Sequence, residues 1–238
     1  LITIKGRSLL EEADMVIYAG SLVSKDHLKF CKSNCEIYNS ASMTLEEVIE
    51  KMESGIKSGK KIVRLHTGDP TLYGAIQEQM DLLDQKGITY EVVPGVSSFT
   101  AACSAIKKEF TLPDVSQTVI LTRIEGRTPV PEEEELSSLA KHKASMALFL
   151  SVKEIDRVVE KLIEGYGRDD VPVAVVYKAT WDDEEIIFGN LKNIGEKVKK
   201  ANIVKTAQIL VGDFIEGEYE RSKLYDPGFS HEYRKSCK

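Results

Sequence analysis

The chain has 238 residues, 42% hydrophobic and 29% charged, enough to bury a sizeable core without disulfides or metals and between one and two domains in size. A count of 32 Lys and Arg against 38 Asp and Glu leaves a net charge of −6, which argues against a global nucleic-acid binder but allows a local basic cleft. No run approaches the roughly 18 consecutive apolar residues of a membrane helix, and Lys5, Arg7, Glu11 and Glu12 interrupt the start where a secretory leader would be apolar.

The four cysteines, Cys31, Cys35, Cys103 and Cys237, are unevenly spaced and read as reduced thiols, so the expected location is cytoplasmic. Strands are expected at residues 15–18, 36–38, 61–66, 89–93, 118–121, 144–150, 171–177 and 207–211. Most are continuous apolar runs, as in strands buried on both faces. Helices lie between them. Thr44-Leu45-Glu46-Glu47 is a capping box opening a helix to about Ser58. Residues 74–86 and 97–107 follow, and then 153–164, where Ile155, Val158, Val159, Leu162 and Ile163 fall at helical spacing and Gly165 is the expected stop. The alternation predicts an α/β fold with mainly parallel or mixed sheets. A break at Leu112-Pro113-Asp114 divides the chain into α/β halves at 1–113 and 114–215, followed by a polar tail at 216–238. The acidic runs at 132–135 and 182–185 read as solvated surface.

Four segments could carry chemistry. His66-Thr67-Gly68-Asp69-Pro70, followed by Tyr73-Gly74, lies at a strand end, where open α/β sheets bind ligands. Gly68 would let the backbone approach a ligand, although the same residues also suit an ordinary strand-to-helix turn. Val93-Pro94-Gly95-Val96-Ser97-Ser98 leads from the next strand into a helix, whose first amides could hold either a ligand or a capping serine. Thr122-Arg123-Ile124-Glu125-Gly126-Arg127 is a basic loop stiffened by Pro129 and Pro131. It suits an anionic ligand, with salt bridges to Glu125 or Glu132 as the alternative. Tyr177-Lys178-Ala179-Thr180-Trp181 ends another strand and contains the single Trp. The Walker pattern, the Gly-x-Gly-x-x-Gly fingerprint, a Ser/His/Asp arrangement and metal-ligand spacing are all missing from the sequence, which favours chemistry that asks little of side chains.

Taken in order, these segments resemble the tetrapyrrole methyltransferase family, whose members methylate uroporphyrinogen and precorrins with S-adenosylmethionine. Leu1-Ile2-Thr3-Ile4-Lys5-Gly6 and Ala13-Asp14-Met15-Val16 join the likeness. Within the family, the His66–Pro70 segment, the Glu125-Gly126-Arg127-Thr128-Pro129-Val130-Pro131 loop and the segment around Lys178 are similar to the branch acting at carbon 11 of precorrin-4 or cobalt-precorrin-4 in cobalamin biosynthesis. The resemblance implies two α/β domains with an active-site trough between them, usually in a homodimer, and neither a nucleic-acid nor a membrane partner. It implies donor contacts at Thr67, Gly68, Asp69, Leu72, Ser97, Ser98, Leu150, Ala179 and Ala207. The macrocycle's carboxylates would then meet His66, Tyr73, Arg123, Arg127 and Lys178, and Asp69 is the candidate for a catalytic polar group. Family members carry a strand and a Gly-x-Gly-Pro-Gly-Asp-Pro loop ahead of the Leu-Ile-Thr element, so both are expected upstream of Leu1. A sister enzyme acting at another carbon and a catalytically silent tetrapyrrole- or nucleoside-binding module are the alternatives. Arg127→Ala is expected to weaken acceptor binding much more than donor binding. Separate titrations of the two ligands check this, and equal losses would refute the assigned role.

Overall fold

The computed structural model describes residues 1–126 and 128–236, with the side chain of Ser21 left aside. The chain divides into two compact units, Leu1–Ser98 and a second from Phe99 onward.

The first unit is built on three parallel strands, β1 (Met15–Tyr18), β2 (Glu36–Asn39) and β3 (Ile62–Leu65), in the order β2-β1-β3. Side chains alternate across a strand, so Met15 and Ile17 of β1 face one layer and Val16 the other. Met15 and Ile17 pack with Val48, Ile49 and Met52 of helix α2 (Leu45–Lys57) and Leu83 of helix α3 (Gln77–Gln85). Val16 packs with Leu10 of helix α1 (Ile4–Glu12) and with Ala13. The helix starts are encoded locally. Thr3 Oγ1 accepts from the Gly6 amide at 3.1 Å, and the expected box at α2 is complete, with the Thr44 amide donating to Glu47 Oε2 at 2.7 Å and the Glu47 amide to Thr44 Oγ1 at 3.3 Å.

The strand expected at residues 89–93 does not form. Among the described residues β3 pairs with β1 alone, and residues 89–93 run without a ladder partner. Their composition suits a strand, but strand propensity is expressed only where a neighbouring edge accepts the pairing.

The second unit holds a five-stranded mixed sheet of β4 (Val119–Arg123), β5 (Ser145–Phe149), β6 (Pro172–Tyr177), β7 (Glu185–Asn190) and β8 (Ala207–Val211), in the order β4-β5-β8-β6-β7. Only β4 and β5 are parallel; β8 runs antiparallel to both its neighbours, and β7 antiparallel to β6. Met146, Leu148, Val173, Val175, Ile209 and Val211 form one inner face, under helix α6 (Ile155–Tyr166) and helix α7 (Ile194–Lys200). Ala147, Ala174, Val176 and Leu210 face the other way, onto Ala102 and Cys103 of helix α4 (Ser98–Ala105), Phe110 and Phe214. The units therefore divide ahead of Leu112-Pro113-Asp114, because α4 and Phe110 already belong to this second core. Strand β7 begins at Glu185, at the end of an acidic run expected to be surface. Its half-exposed edge position leaves only Ile186, Ile187 and Phe188 as an apolar signal. Residues 216–236 are mostly exposed, and Arg234 ties them together by donating from Nη2 to the carbonyls of Leu224 at 2.7 Å and Asp226 at 2.8 Å. No helix of the described residues is long and apolar enough to cross a membrane.

Helix α6 does not stop at Gly165. It continues to Tyr166 and is closed by Gly167, which takes the left-handed conformation at φ 72°. Gly165 instead permits close packing on helix α5 (Leu136–Ala140), since a Cβ there would collide with the Ser137 carbonyl oxygen and Ala140 Cβ. Gly165→Ala should therefore cost about 2–3 kcal/mol by overpacking, and Gly167→Ala about 1 kcal/mol by backbone strain. Denaturant unfolding of the two variants checks the order, which a simple helix-stop role for Gly165 would reverse.

Candidate functional site

In the first unit, the loop after β3 and the loop before α4 lie backbone against backbone. Gly68 is left-handed at φ 59°. A Cβ on Gly95 would drive into the Gly68 carbonyl oxygen, and one on Gly68 would stand 3.5 Å from both Ser97 Cα and the Ser98 amide nitrogen. Asp69 closes this contact. Its Oδ2 accepts from the Gly95 amide at 3.0 Å, and its Oδ1 accepts from the Thr71 amide at 2.9 Å and the Thr71 hydroxyl at 2.5 Å. Partial burial disfavours the charge at Asp69, but the Thr71 hydroxyl and the two amides outweigh it and hold the carboxyl below its ordinary range. A carboxylate bound in this way is a weak proton acceptor, so Asp69 acts here as a clasp between the loops. The structure thus brings Thr67, Gly68 and Asp69 together with Ser97 and Ser98.

Beyond Asp69 the chain turns sharply. The Leu72 amide donates to the Asp69 carbonyl at 3.2 Å, and Tyr73 and Ala75 are left-handed at φ 56° and 48°. Gly74 between them is obligatory, because a Cβ would meet the Pro70 carbonyl. Sequence reasoning missed the residues that hold this turn. Gln79 of α3 donates to the Ala75 carbonyl at 2.9 Å and accepts from Arg64 Nε at 3.1 Å, while Arg64 Nη1 donates to the Ile17 carbonyl at 3.1 Å. The available signal was a lone cation in the apolar run Ile62-Val63-Arg64-Leu65. Burial, and then the charge of Arg64, push the His66 imidazole down to about 4, so His66 is neutral at physiological pH.

In the second unit, the topology gathers the C-terminal ends of β4, β5 and β6 and the start of β8 along one edge. Four of the described non-glycine residues at this edge are left-handed: Leu150 at φ 54°, Lys178 at 44°, Thr180 at 72° and Thr206 at 57°. Such residues cost about 1–3 kcal/mol each and collect at functional sites. Leu150 is 71% exposed despite its apolar side chain, and the Lys178 amide donates to the Thr206 carbonyl at 2.9 Å, which places Ala179 and Ala207 beside that bond. Both expected cations here have protein partners. Arg123 donates to the Thr128 carbonyl at 3.1 Å and the Pro129 carbonyl at 2.9 Å, so it orders the basic loop from within. Glu125 pairs with Arg157 of α6. Lys178 Nζ bonds Asp183 at 2.5 Å and stands 5.1 Å and 5.2 Å from the ring centres of Tyr177 and Trp181. The Asp183 bond, and then Tyr177, raise its pKa. Arg127 lies outside the described residues.

Two α/β units with shaped backbone and strained residues at their strand ends are the architecture of an enzyme that binds small molecules at strand ends. Residues 1–195 match the family model for tetrapyrrole (corrin/porphyrin) methylases. The cobalt-precorrin-4 C(11)-methyltransferase of Methanocaldococcus jannaschii is 60% identical over 239 aligned positions, covering 100% of this chain and 92% of the relative. An X-ray structure of a cobalamin biosynthetic enzyme, cobalt precorrin-4 methyltransferase, superposes with a TM-score of 0.89 at 49% identity, covering 91% of this chain and 90% of that one. The uroporphyrin-III C-methyltransferase of Thermus thermophilus, solved in complex with S-adenosylhomocysteine, shares the fold at a TM-score of 0.74 and 22% identity, over 90% of this chain and 91% of that one. The chain belongs to the tetrapyrrole methylase family.

The lowered His66 value has a consequence for stability. Between about pH 6.5 and 4 the unfolded chain protonates this imidazole and the folded one does not, so stability falls as pH falls through that window. The contribution is at most about 3 kcal/mol. Urea unfolding from pH 7 to 4 should show a shallower decline for His66→Gln than for the parent, and parallel curves would contradict the half-buried neutral imidazole.

Proposed function

We propose that this chain is an S-adenosylmethionine-dependent methyltransferase acting at carbon 11 of cobalt-precorrin-4 in cobalamin biosynthesis. The observation that carries the reading is the Asp69-clasped contact of the Gly68 and Gly95 loops, in a chain 60% identical to a cobalt-precorrin-4 C(11)-methyltransferase. That relative and the structural neighbour named for cobalt-precorrin-4 support the cobalt form of the acceptor. A homodimer in the cytoplasm is part of the same proposal.

The donor supplies a methyl group on a sulfonium, which leaves as a neutral thioether when an electron-rich macrocycle carbon attacks in line. The protein's task is to align the two and exclude water. The junction at Gly68 and Gly95, packed backbone on backbone with no side chain between, supports a donor held by main-chain groups. Thr67, Gly68, Asp69, Leu72, Ser97 and Ser98 are the proposed donor contacts in the first unit, and Leu150, Ala179 and Ala207 those in the second. Asp69 fixes the loop and takes no proton. His66, neutral, and Tyr73 would orient the acceptor without adding charge. Lys178 and Arg127 would receive its carboxylates, with Lys178 exchanging Asp183 for the ligand, while Arg123 keeps the loop after β4 in shape.

The test is calorimetric binding of S-adenosylhomocysteine, followed by transfer of labelled methyl to cobalt-precorrin-4 and NMR of the product. Binding with label at carbon 11 is expected. Binding without transfer would identify a silent module, and label at another carbon a sister enzyme.

A further inference from the structure

The geometry points to Ser151 as a positioning residue that makes the exposed Leu150 and the loop beginning at Ile124 one rigid element. Ser151 stands at the N-terminal position of the short turn Val152–Glu154, where a serine hydroxyl ordinarily caps the following amides. It does not cap them. Its hydroxyl donates back to the Phe149 carbonyl at 2.6 Å and accepts from the Ile124 amide at 2.9 Å, with the residue fully buried at 0% exposure.

This one oxygen therefore spans the left-handed Leu150 and ties the end of β5 to the loop that leaves β4. The loop is held from two further sides. Arg123 donates to the carbonyls of Ile124, Thr128 and Pro129, and Arg157 donates to the Glu125 carbonyl at 3.3 Å while pairing with its carboxylate. Ser151 is the only one of these three side chains that also grips the β5 end. On the proposed function, on which this inference rests, Leu150 contacts the donor and the loop belongs to the acceptor side. Ser151 would thus couple the two ligands through main chain without touching either.

The experiment compares S-adenosylhomocysteine affinity and acceptor KM for the parent, Ser151→Ala, Ser151→Thr, Leu150→Gly and the Ser151→Ala/Leu150→Gly double variant. Ser151→Ala should weaken S-adenosylhomocysteine about tenfold and raise acceptor KM severalfold, and Ser151→Thr, which keeps the hydroxyl, should stay within about twofold. Glycine takes the left-handed conformation unaided, so adding Ser151→Ala to Leu150→Gly should change S-adenosylhomocysteine affinity less than about twofold. Parent-like affinity and KM in Ser151→Ala, or an undiminished tenfold loss in the glycine background, would overturn the role. Should Ser151→Ala not fold, hydrogen exchange of the parent decides: S-adenosylhomocysteine should slow residues 122–126 together with 148–154, and protection confined to 148–154 would overturn the coupling. A parent that does not bind S-adenosylhomocysteine would overturn the proposed function, and this role with it. A parent that binds, with Ser151→Ala matching it, would overturn Ser151 alone.

Discussion

The first unit depends on two glycines lying face to face, with one carboxylate holding them there. Without a Cβ atom at Gly95 the loops after β3 and before α4 approach to backbone contact, and Asp69 accepts one hydrogen bond across the junction, from the Gly95 amide, and two from Thr71 in its own loop. Hydrogen bonds to a charged acceptor are worth about 1.5–3 kcal/mol each, comparable to the strain of the left-handed residues that follow at Tyr73 and Ala75. The clasp and the strained turn are consequently parts of one arrangement. Gln79 and Arg64 extend it into the sheet, so that a half-buried guanidinium shapes the turn and adds to the burial that keeps His66 neutral.

The second unit reaches a similar end by different means. Its sheet is mixed, and the antiparallel β8 enters where β5 and β6 leave, so Ala207 lies at the same edge as Leu150 and Ala179. An all-parallel arrangement would have put the start of β8 at the opposite edge. Cations in this region are held by protein groups: Arg123 by carbonyls and Lys178 by Asp183 and two rings. Such partners keep the side chains ordered, and they set a cost for any carboxylate that displaces them.

Much of this was legible from residue types alone. Seven of the eight expected strands form, because continuous apolar runs such as 144–150 and 171–177 have few other ways to be buried. The loops at His66 and Pro94 were marked by glycine and proline at strand ends, and their chemistry by the resemblance of the ordered segments to a known family. What could not be read depends on neighbours distant in sequence. Residues 89–93 lack a ladder partner, Gly165 serves the backbone of Ser137, and Arg123 donates to carbonyls of its own loop. The left-handed state of Leu150 carries no sequence signal, since leucine is a poor choice for it.

Trp181 gives the second unit an optical property. It is the single tryptophan of the chain, and its indole faces the Lys178 ammonium at the edge where the strand ends gather. A cation against an indole face is held by the ring's quadrupole and perturbs the ring in return. The emission of the whole protein is therefore tied to where one ammonium sits, and the molecule reports on that edge without any label.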